Sequence, residues 1–413
     1  MSQSARSALR HRDFTLLLGA MVTEAFALQM SFVAIGWQVY SISGNALDLG
    51  LLGLAEFLPL LLLALPAGQL ADRVPRRRLL AIMMASNLVV LGGLLAVTVA
   101  DTGRVWPFFG LAFLQGVGSA IGAPAGRALT PSLVPEEILV SALAQRSIAF
   151  QLSAVIGPFV GGILLAIQAE LVYAVGIALS VVALGAVLAL QSGRLPAVEG
   201  AAGLGEVMAG VRLIRRTNVL LGAISLDLFA VLLGGAVALL PIFAKDILEV
   251  GPTGLGLLRA APAVGALVAA LLIARFPIRR HAGPTLFAVV AGFGLCMVAF
   301  GLSRQLWLSM LALALGSGLD MVSVVLRQAI LPLVTPDELR GRVNAVEMVF
   351  ISASNELGAF ESGVAAALIG AVPAVVLGGI ATIVVAGVWW KLFPTLARVD
   401  RLDDLRPVAA ETG

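Results

Sequence analysis

Apolar residues run along this chain in long stretches, separated by short segments rich in charge, proline or glycine. A helix needs about 20 mostly apolar residues to cross the core of a bilayer. The pattern predicts twelve spans: 14–40, 47–71, 79–100, 106–127, 140–166, 170–190, 218–243, 253–275, 284–302, 305–327, 343–369 and 373–391. The first apolar run exceeds the roughly 7–15 residues of a cleavable signal core, so we interpret it as a spanning helix.

Basic residues are unevenly distributed between the two sides of these spans. Arg104, Lys245 and Arg304 fall in loops on one side, and Arg146 and Arg259 lie within spans, whereas the other 22 of 27 lie on the side of both termini. Because positive loops stay in the cytoplasm, we expect a multi-pass protein of the bacterial cytoplasmic (inner) membrane with both termini cytoplasmic.

Composition agrees with lipid as the solvent, since 60% of the residues are hydrophobic and 12% are charged, against about 25% charged in soluble domains. Neither lysine follows a glycine-rich phosphate loop, which argues against an ATP-driven pump. One cysteine and two distant histidines offer no disulfide and no metal cluster. We expect no metal, no cofactor and no enzyme activity, with a proton gradient as the energy source.

Two halves of the chain repeat each other. Pro131 with the Pro-Glu-Glu at 135–137 matches Pro332 with the Pro-Asp-Glu at 336–338, an offset of 201 residues. GPFVGG and GAFESG follow at the same offset. We therefore predict a six-helix bundle at 1–190, a cytoplasmic linker with a short amphipathic helix at 191–217, and a second six-helix bundle with a cytoplasmic tail at 218–413.

The stretch GQLADRVPRRR, which follows the second span, resembles the signature loop between helices 2 and 3 of the major facilitator superfamily. FLPLLLLALPAGQLADRVPRRRLL, LVTPDELRGRVNA and NELGAFESG resemble the secretion-transporter branch that contains the bacterial enterobactin exporter. The resemblance implies an all-α integral membrane fold, with twelve helices in two pseudo-symmetric bundles that rock around a midplane site.

In that superfamily the signature loop latches the cytoplasmic ends of the two halves. The matching positions here are Gly68, Asp72, Arg73 and Arg76. The alternative is a hydrated acid beside arginines that only set the topology.

Acidic residues inside predicted spans are costly and are candidates for proton or cargo binding. Glu24 lies ten residues into the first span, roughly 15 Å deep by helix rise, and Asp227 has a similar depth in the seventh. Glu56, midway along the second span, is the third candidate. Structural pairing is the alternative for all three, because buried charges generally pair.

Other charges within or near the spans suggest gates that open and close. They are Arg146, Arg259, Asp320, Arg327, Glu347, Glu356 and Glu361. Asp320 and Arg327 are seven residues apart, so two helical turns place them on one face. The alternative is a static network of buried pairs.

GPFVGG, with Gly157, Pro158, Gly161 and Gly162, resembles the bend motif of proton-driven antiporters. Packing between helices explains the same residues without any coupling role. Polar residues that could line a cargo cavity, or simply bond helices together, are Gln29, Trp37, Gln38, Gln115 and Gln151.

These observations predict a secondary transporter, a proton-coupled exporter of a small amphipathic organic molecule such as a siderophore-like metabolite or a drug. The alternatives are a proton-coupled uptake symporter for a metabolite, and a membrane sensor or assembly factor that does not transport. The expected partners are the small-molecule cargo and the bilayer, with no nucleic acid, and the chain is expected to act as a monomer.

Overall fold

The structure is a computed structural model that describes residues 8–191, 204–402 and 405–406, apart from a few individual side chains. Within these residues it is helical nearly throughout and contains no strand. The first six helices are α1 (Arg12–Ser43), α2 (Ala46–Arg73), α3 (Arg76–Val99), α4 (Trp106–Leu129), α5 (Glu136–Ile167) and α6 (Ala169–Leu188). The remaining long helices are α7 (Leu204–Arg216), α8 (Asn218–Leu233), α9 (Gly251–Arg275), α10 (Ala282–Leu302), α11 (Leu306–Val334), α12 (Arg340–Ile369) and α13 (Ala371–Leu392).

Local sequence signals explain several helix boundaries. Gly44 ends α1 in the left-handed conformation, which glycine adopts without strain. Asn45 then caps α2, its side chain accepting a hydrogen bond from the backbone N–H of Leu47. Pro75 and Pro135 stand immediately before α3 and α5. The helices therefore begin and end close to the punctuation visible in the sequence.

Eleven helical segments of the described chain are long and apolar enough to cross a membrane. The predicted span at 343–369 corresponds to α12, which has 30 residues but includes five charged ones. The predicted seventh span, 218–243, is interrupted. After α8 the chain continues through a 3₁₀ turn (Ala236–Leu239), a short helical turn (Leu240–Ile242) and a π-helical turn (Phe243–Ile247).

Contacts divide the described chain into two compact units. Unit 1 contains the residues up to 191 together with 244–260, and unit 2 contains 204–243 together with the residues from 261 onward. The predicted second bundle, 218–413, includes 244–260, which here pack with unit 1. The predicted linker helix, α7, packs in unit 2, because Gly210 lies against the backbone of Arg342. The predicted bundle limits thus stay a prediction.

Glycines set the closest helix contacts of unit 1. A Cβ atom at Gly116 of α4 would lie 2.0 Å from the carbonyl oxygen of Glu56 in α2. A Cβ atom at Gly161 of α5 would lie 2.8 Å from the Cα atom of Met30 in α1. Only glycine permits these approaches, so both contacts are fixed by sequence.

Unit 2 is organised around α10, which packs against α11 and α13, while α12 packs against α8. Gly294 and Gly379 face each other where α10 crosses α13, and a Cβ atom on either would lie 2.6 Å from the other's carbonyl oxygen. The packing places α8, α11 and α12 around a common interior, which matters for the charges below.

Each unit exposes a tryptophan at the start of one helix. Trp106 opens α4 and is 65% exposed, and Trp307 lies at the start of α11 and is 64% exposed. They are 201 residues apart, the offset of the proline repeats.

Candidate functional site

The interior of unit 2 holds a buried cluster of charges around Arg327. Its guanidinium Nη2 lies 2.6 Å from Oδ1 of Asp227, and its Nη1 lies 3.9 Å from Oε1 of Glu347. The Arg327 and Asp227 side chains are 3% and 8% exposed. Asp320, two turns earlier on α11, is partly buried and interacts electrostatically with Asp227 and Arg327. Three helices, α8, α11 and α12, thus converge on one arginine.

This cluster, Asp227, Asp320, Arg327 and Glu347, contains three carboxyl groups and one guanidinium. Burying charge without a partner is costly, and arginine stays protonated. Full ionisation would leave an excess of negative charge in an apolar interior. Protonation of one carboxyl group would reduce this excess, so the ratio of acids to arginine is suited to taking up a proton. Among the described residues, no group of His, Cys, Asp and Glu is arranged to hold a metal ion.

Unit 1 holds a different pair, Glu56 on α2 and Arg259 on α9. The two groups interact electrostatically, and both residues are only partly buried. The Nε atom of Arg259 is enclosed and has no hydrogen-bond partner among the described residues. Glu56 also lines a cavity of about 30 Å³, together with Ser31 and Gln115. The pair therefore has a guanidinium donor to spare and is not sealed.

Glu24 is enclosed within unit 1 rather than paired with a cation. Asn87 of α3 donates a hydrogen bond to its Oε1 atom, and Ser180 of α6 acts on the same carboxyl group. The Oε2 atom has no hydrogen-bond partner in the described part of the chain. Asn87 and Ser180 were not predicted, although each is a single buried polar residue in an apolar run. Glu24 of α1 is thus enclosed by α3 and α6.

Of the predicted cavity residues, Gln38 has the best-defined contacts. It accepts a hydrogen bond from the Tyr173 hydroxyl at 2.5 Å and donates one to Thr98 Oγ1 at 3.0 Å. With Trp37 it lines a cavity of about 250 Å³ at the end of α1. Gln38 therefore bonds α1 to α3 and α6, which is the alternative role considered for it.

The other predicted glutamines lie on separate helices of unit 1. Gln115 is buried on α4 beside the small cavity at Glu56. Gln29 of α1 packs against Gly157, and a Cβ atom added at Gly157 would lie 2.7 Å from the Cβ atom of Gln29. Gln151 is partly buried on α5.

The glycine-proline motif of α5 forms close helix contacts within unit 1. A Cβ atom at Gly162 would lie 2.7 Å from the carbonyl oxygen of Pro252, and one at Gly256 would lie 2.5 Å from that of Pro158. The motif therefore packs α5 directly against the beginning of α9. A coupling role for it stays a prediction.

The remaining predicted gate residues, Arg146, Glu356 and Glu361, lie outside these two charged sites. Arg146 donates a hydrogen bond to Thr130 Oγ1 at 3.2 Å. Glu356 and Glu361 of α12 are partly buried, and neither forms an ion pair with another described residue. The structure therefore brings Asp227, Asp320, Arg327 and Glu347 together, and separately Glu56 with Arg259.

Three residues of the predicted latch, Gly68, Asp72 and Arg73, lie outside the residues whose side-chain surroundings the structure describes. The α2 backbone itself continues to Arg73. Arg76 donates a hydrogen bond to the carbonyl oxygen of Ala128 at 3.2 Å, and Arg77 donates one to that of Val187 at 3.1 Å. These contacts fix the start of α3 within unit 1.

A contact that sequence reasoning missed joins α1 to the π-helical turn. The Tyr40 hydroxyl donates a hydrogen bond to Asp246, and Lys245 Nζ lies 5.7 Å from the centre of the Tyr40 ring. No sequence signal connects residues so far apart.

Comparison with known proteins identifies the chain's relatives. Residues 3–407 match the major facilitator family described as transmembrane secretion effectors. The multidrug efflux pump Tap of Mycolicibacterium fortuitum is 29% identical over 84% of this chain and 88% of that protein. The enterobactin exporter EntS of Escherichia coli O81 is 26% identical over 88% of this chain and 86% of that protein.

Solved structures share the fold. A bacterial homologue of the human lysosomal transporter Spinster has a TM-score of 0.72 at 14% identity, covering 97% of this chain and 99% of its own. The D-xylose-proton symporter has a TM-score of 0.71 at 12% identity, covering 94% and 99%.

These matches confirm the predicted superfamily and its all-α membrane fold. The related proteins are membrane transporters, not enzymes. Their match with nearly the whole chain shows that it belongs to the transmembrane secretion effector family of major facilitator transporters, a family of multi-pass membrane proteins that includes efflux transporters.

Proposed function

We propose that this protein exports a small amphipathic organic molecule across the bacterial cytoplasmic membrane in exchange for protons. The efflux activity named in Tap and EntS supports the outward direction. Their names also support the cargo class, which includes drugs and a siderophore. The shared fold supports alternating access between two bundles around a midplane site.

The observation that carries proton coupling is the cluster around Arg327 in unit 2. Without added protons its three carboxyl groups exceed the charge of one guanidinium, and the excess is buried. Binding of a proton to one carboxylate oxygen removes one negative charge and stabilises the sealed cluster. The empty carrier would then return with this proton, and release it to the cytoplasm before cargo binds.

Glu24 is a second proton site in this proposal. Its carboxyl group is enclosed with only neutral hydrogen-bonding neighbours in the described residues, so the ionised form would lack a charged partner. Glu24→Gln keeps the hydrogen bond from Asn87, whereas Asp227→Asn weakens a buried ion pair. Comparing the two variants would show which acid takes part in coupling.

Proton flux in everted membrane vesicles tests the proposal. Respiration acidifies the lumen and quenches a weak-base dye, and enterobactin or ethidium is then added outside. An exporter that exchanges cargo for protons releases luminal protons and restores fluorescence. Vesicles carrying the Asp227→Asn, Glu347→Gln double variant are the control, and should show cargo-independent fluorescence.

Two outcomes would overturn export. Cargo preloaded in the lumen that leaves together with protons, with no response to external cargo, would indicate an uptake symporter. Unchanged fluorescence and unchanged cargo distribution with every probe, from a protein that accumulates normally, would indicate a sensor or assembly factor.

Cytoplasmic termini and a monomeric state belong to the same proposal. The side on which the basic residues lie supports the orientation of the termini. A cysteine introduced near either end of a Cys296→Ser variant should react with an impermeant maleimide only in everted vesicles. A single protomer per small nanodisc that retains cargo binding would support the monomer. Absence of nucleic acid from the purified protein would support the separate expectation that nucleic acid is not a partner.

A further inference from the structure

We infer that the exported cargo carries an acidic group, and that Arg259 with Glu56 forms the subsite that binds it. This inference rests on the proposed export function and narrows its substrate class. The starting point is the Glu56–Arg259 pair of unit 1. The Arg327 cluster accounts for proton uptake, so this pair has no role in the proposed function so far.

Arg259 is a fixed positive charge inside the predicted eighth span. It lies two turns after the start of α9, and one turn after Gly256, whose backbone packs on Pro158. The side chain is only partly buried, unlike that of Arg327. A charge at this depth requires an anionic partner, and arginine cannot lose its own charge in exchange.

The donors of Arg259 exceed what is bound to them. A guanidinium has five N–H donors in a planar fork, and the Nε of Arg259, like that of Arg327, is enclosed without an acceptor in the described part of the chain. Leaving a buried donor unsatisfied is costly. A planar oxyanion, such as a carboxylate, hydroxamate or catecholate, accepts two parallel hydrogen bonds from such a fork.

Glu56 makes this site exchangeable. Its carboxylate balances Arg259 electrostatically, so the pair carries no excess charge before cargo arrives. The cavity of about 30 Å³ beside Glu56, with Ser31 and Gln115 on its wall, has room for about one water molecule. Glu56 can therefore remain solvated and hydrogen-bonded when the acidic group of the cargo takes its place at the guanidinium.

The charge balance also separates the two sites by ligand. The cluster in unit 2 has excess acid and favours a proton, whereas Arg259 is balanced by one acidic neighbour, which an anionic group of the cargo can replace at the guanidinium. Cargo and proton therefore bind to different residues, and their exchange follows from the transport cycle rather than from competition for one carboxylate.

Binding of matched probes to the purified protein in nanodiscs tests the inference. Salicylate is compared with salicylamide, and naphthoate with naphthamide, so that each pair differs mainly in its acidic group. The expected preference for the acid is about tenfold or more, equivalent to about 1.4 kcal/mol. Arg259→Gln should abolish this preference, and Arg259→Lys should retain part of it, because the charge remains while the fork is lost.

Glu56→Gln separates a subsite from a static ion pair. Removing the competing carboxylate should preserve or raise the affinity for the acids, whereas a purely structural pair would lose binding as fully as Arg259→Gln does. Arg275→Gln, on the same helix but at its end, is the matched control and should bind like the natural chain. Melting temperatures of all variants check that each one is folded.

The inference is overturned if neither acid binds better than its neutral partner, or if Glu56→Gln and Arg259→Gln lose binding equally. Its failure is distinct from failure of the export proposal. Ethidium-dependent proton release that survives Arg259→Gln, with no acid preference in the natural chain, would leave proton-coupled export standing and remove the anion subsite. An acid preference without any proton release would leave the anion subsite standing and remove proton-coupled export.

Discussion

Both units enclose an arginine beside acidic side chains within a membrane span, but the two sites differ in composition and in access. Arg327 of unit 2 is sealed, with Asp227 at 2.6 Å and two further acids around it. Arg259 of unit 1 is partly exposed, with Glu56 as its acidic neighbour. In both arginines the Nε atom is enclosed without an acceptor among the described residues.

The difference shows that the ratio of charges and their exposure decide what a buried arginine can do. An excess of acid behind a closed surface favours the smallest cation, the proton. A balanced pair with one open side favours exchange of the acid for another anion. The repeated halves thus share their helices and loop prolines, while their charged interiors have diverged.

The largest effect is expected from Arg327→Met. The substitution removes the cation that three carboxyl groups share, two of them on buried residues, and breaking a buried pair by removing one partner typically costs about 3–5 kcal/mol. Arg259→Met is the matched variant in unit 1 and should cost clearly less, because Glu56 borders a cavity. Unfolding in detergent at neutral pH measures both, and equal losses would contradict the distinction between sealed and open sites.

A smaller loss is expected where the open site depends on helix packing. In Gly256→Val the added Cβ would lie 2.5 Å from the Pro158 carbonyl oxygen, and overpacking typically costs roughly 1–3 kcal/mol. The displaced α9 should also weaken the preference for acidic probes at Arg259. Gly185→Ala is the control, since nothing lies within 4 Å of its added Cβ. A Gly256→Val variant with natural stability and acid preference would refute the packing argument.

Within the sealed cluster, the two salt bridges should contribute unequally. Asp227 lies 2.6 Å from Arg327 and Glu347 lies 3.9 Å from it, so Asp227→Asn should slow cargo-induced proton release more than Glu347→Gln. We expect a loss of roughly tenfold for Asp227→Asn, equivalent to about 1.4 kcal/mol. Dye recovery in everted vesicles gives both rates, and a larger effect at Glu347 would reverse the assignment.

The smallest effect is expected at the exposed ion pair between Arg280 and Asp400. Asp400 accepts a hydrogen bond from the His281 backbone N–H at 2.9 Å and lies 3.3 Å from Arg280. The His281 hydrogen bond first, and the charge of Arg280 next, hold the pKa of Asp400 below its ordinary value. A lowered pKa stabilises docking of the tail above the unfolded pKa of Asp400, and the stabilisation is lost as the pH falls through the folded value.

Amide hydrogen exchange at Ala282 and Gly283, which donate to the carbonyl oxygens of Asp400 and Val399, reports this docking. Asp400→Asn should accelerate exchange slightly at neutral pH, and the difference from the natural chain should vanish in acid. A difference that persists at all pH values would show that the charge of Asp400 is not responsible.

Hydrophobic runs and loop prolines predicted where most helices lie, because each membrane helix must satisfy its own backbone within about 20 residues. The fold itself was implied by the resemblance to the major facilitator superfamily. Spacing along the sequence placed Asp320 and Arg327 on one helix face. It could not select Asp227 and Glu347 as the salt-bridge partners of Arg327, or join Glu56 to Arg259, because those contacts depend on how separate helices pack. Asn87 and Ser180 around Glu24 were missed for the same reason.

The interruption of the seventh span was visible in part. Gly234, Gly235 and Pro241 stand inside it, and they weaken a regular helix because glycine is flexible and proline lacks a backbone donor. The apolar run alone predicted a continuous helix at 218–243. The structure shows instead that this run passes through three different helical geometries.

Trp106 and Trp307 give each unit its own marker of depth. Indole rings favour the layer of lipid head groups, and these two occupy equivalent places in the repeats with nearly equal exposure. A unit that tilts within the bilayer must carry its indole toward the acyl chains or toward water. The polarity around each ring, and therefore its fluorescence, would then register the tilt of that unit alone.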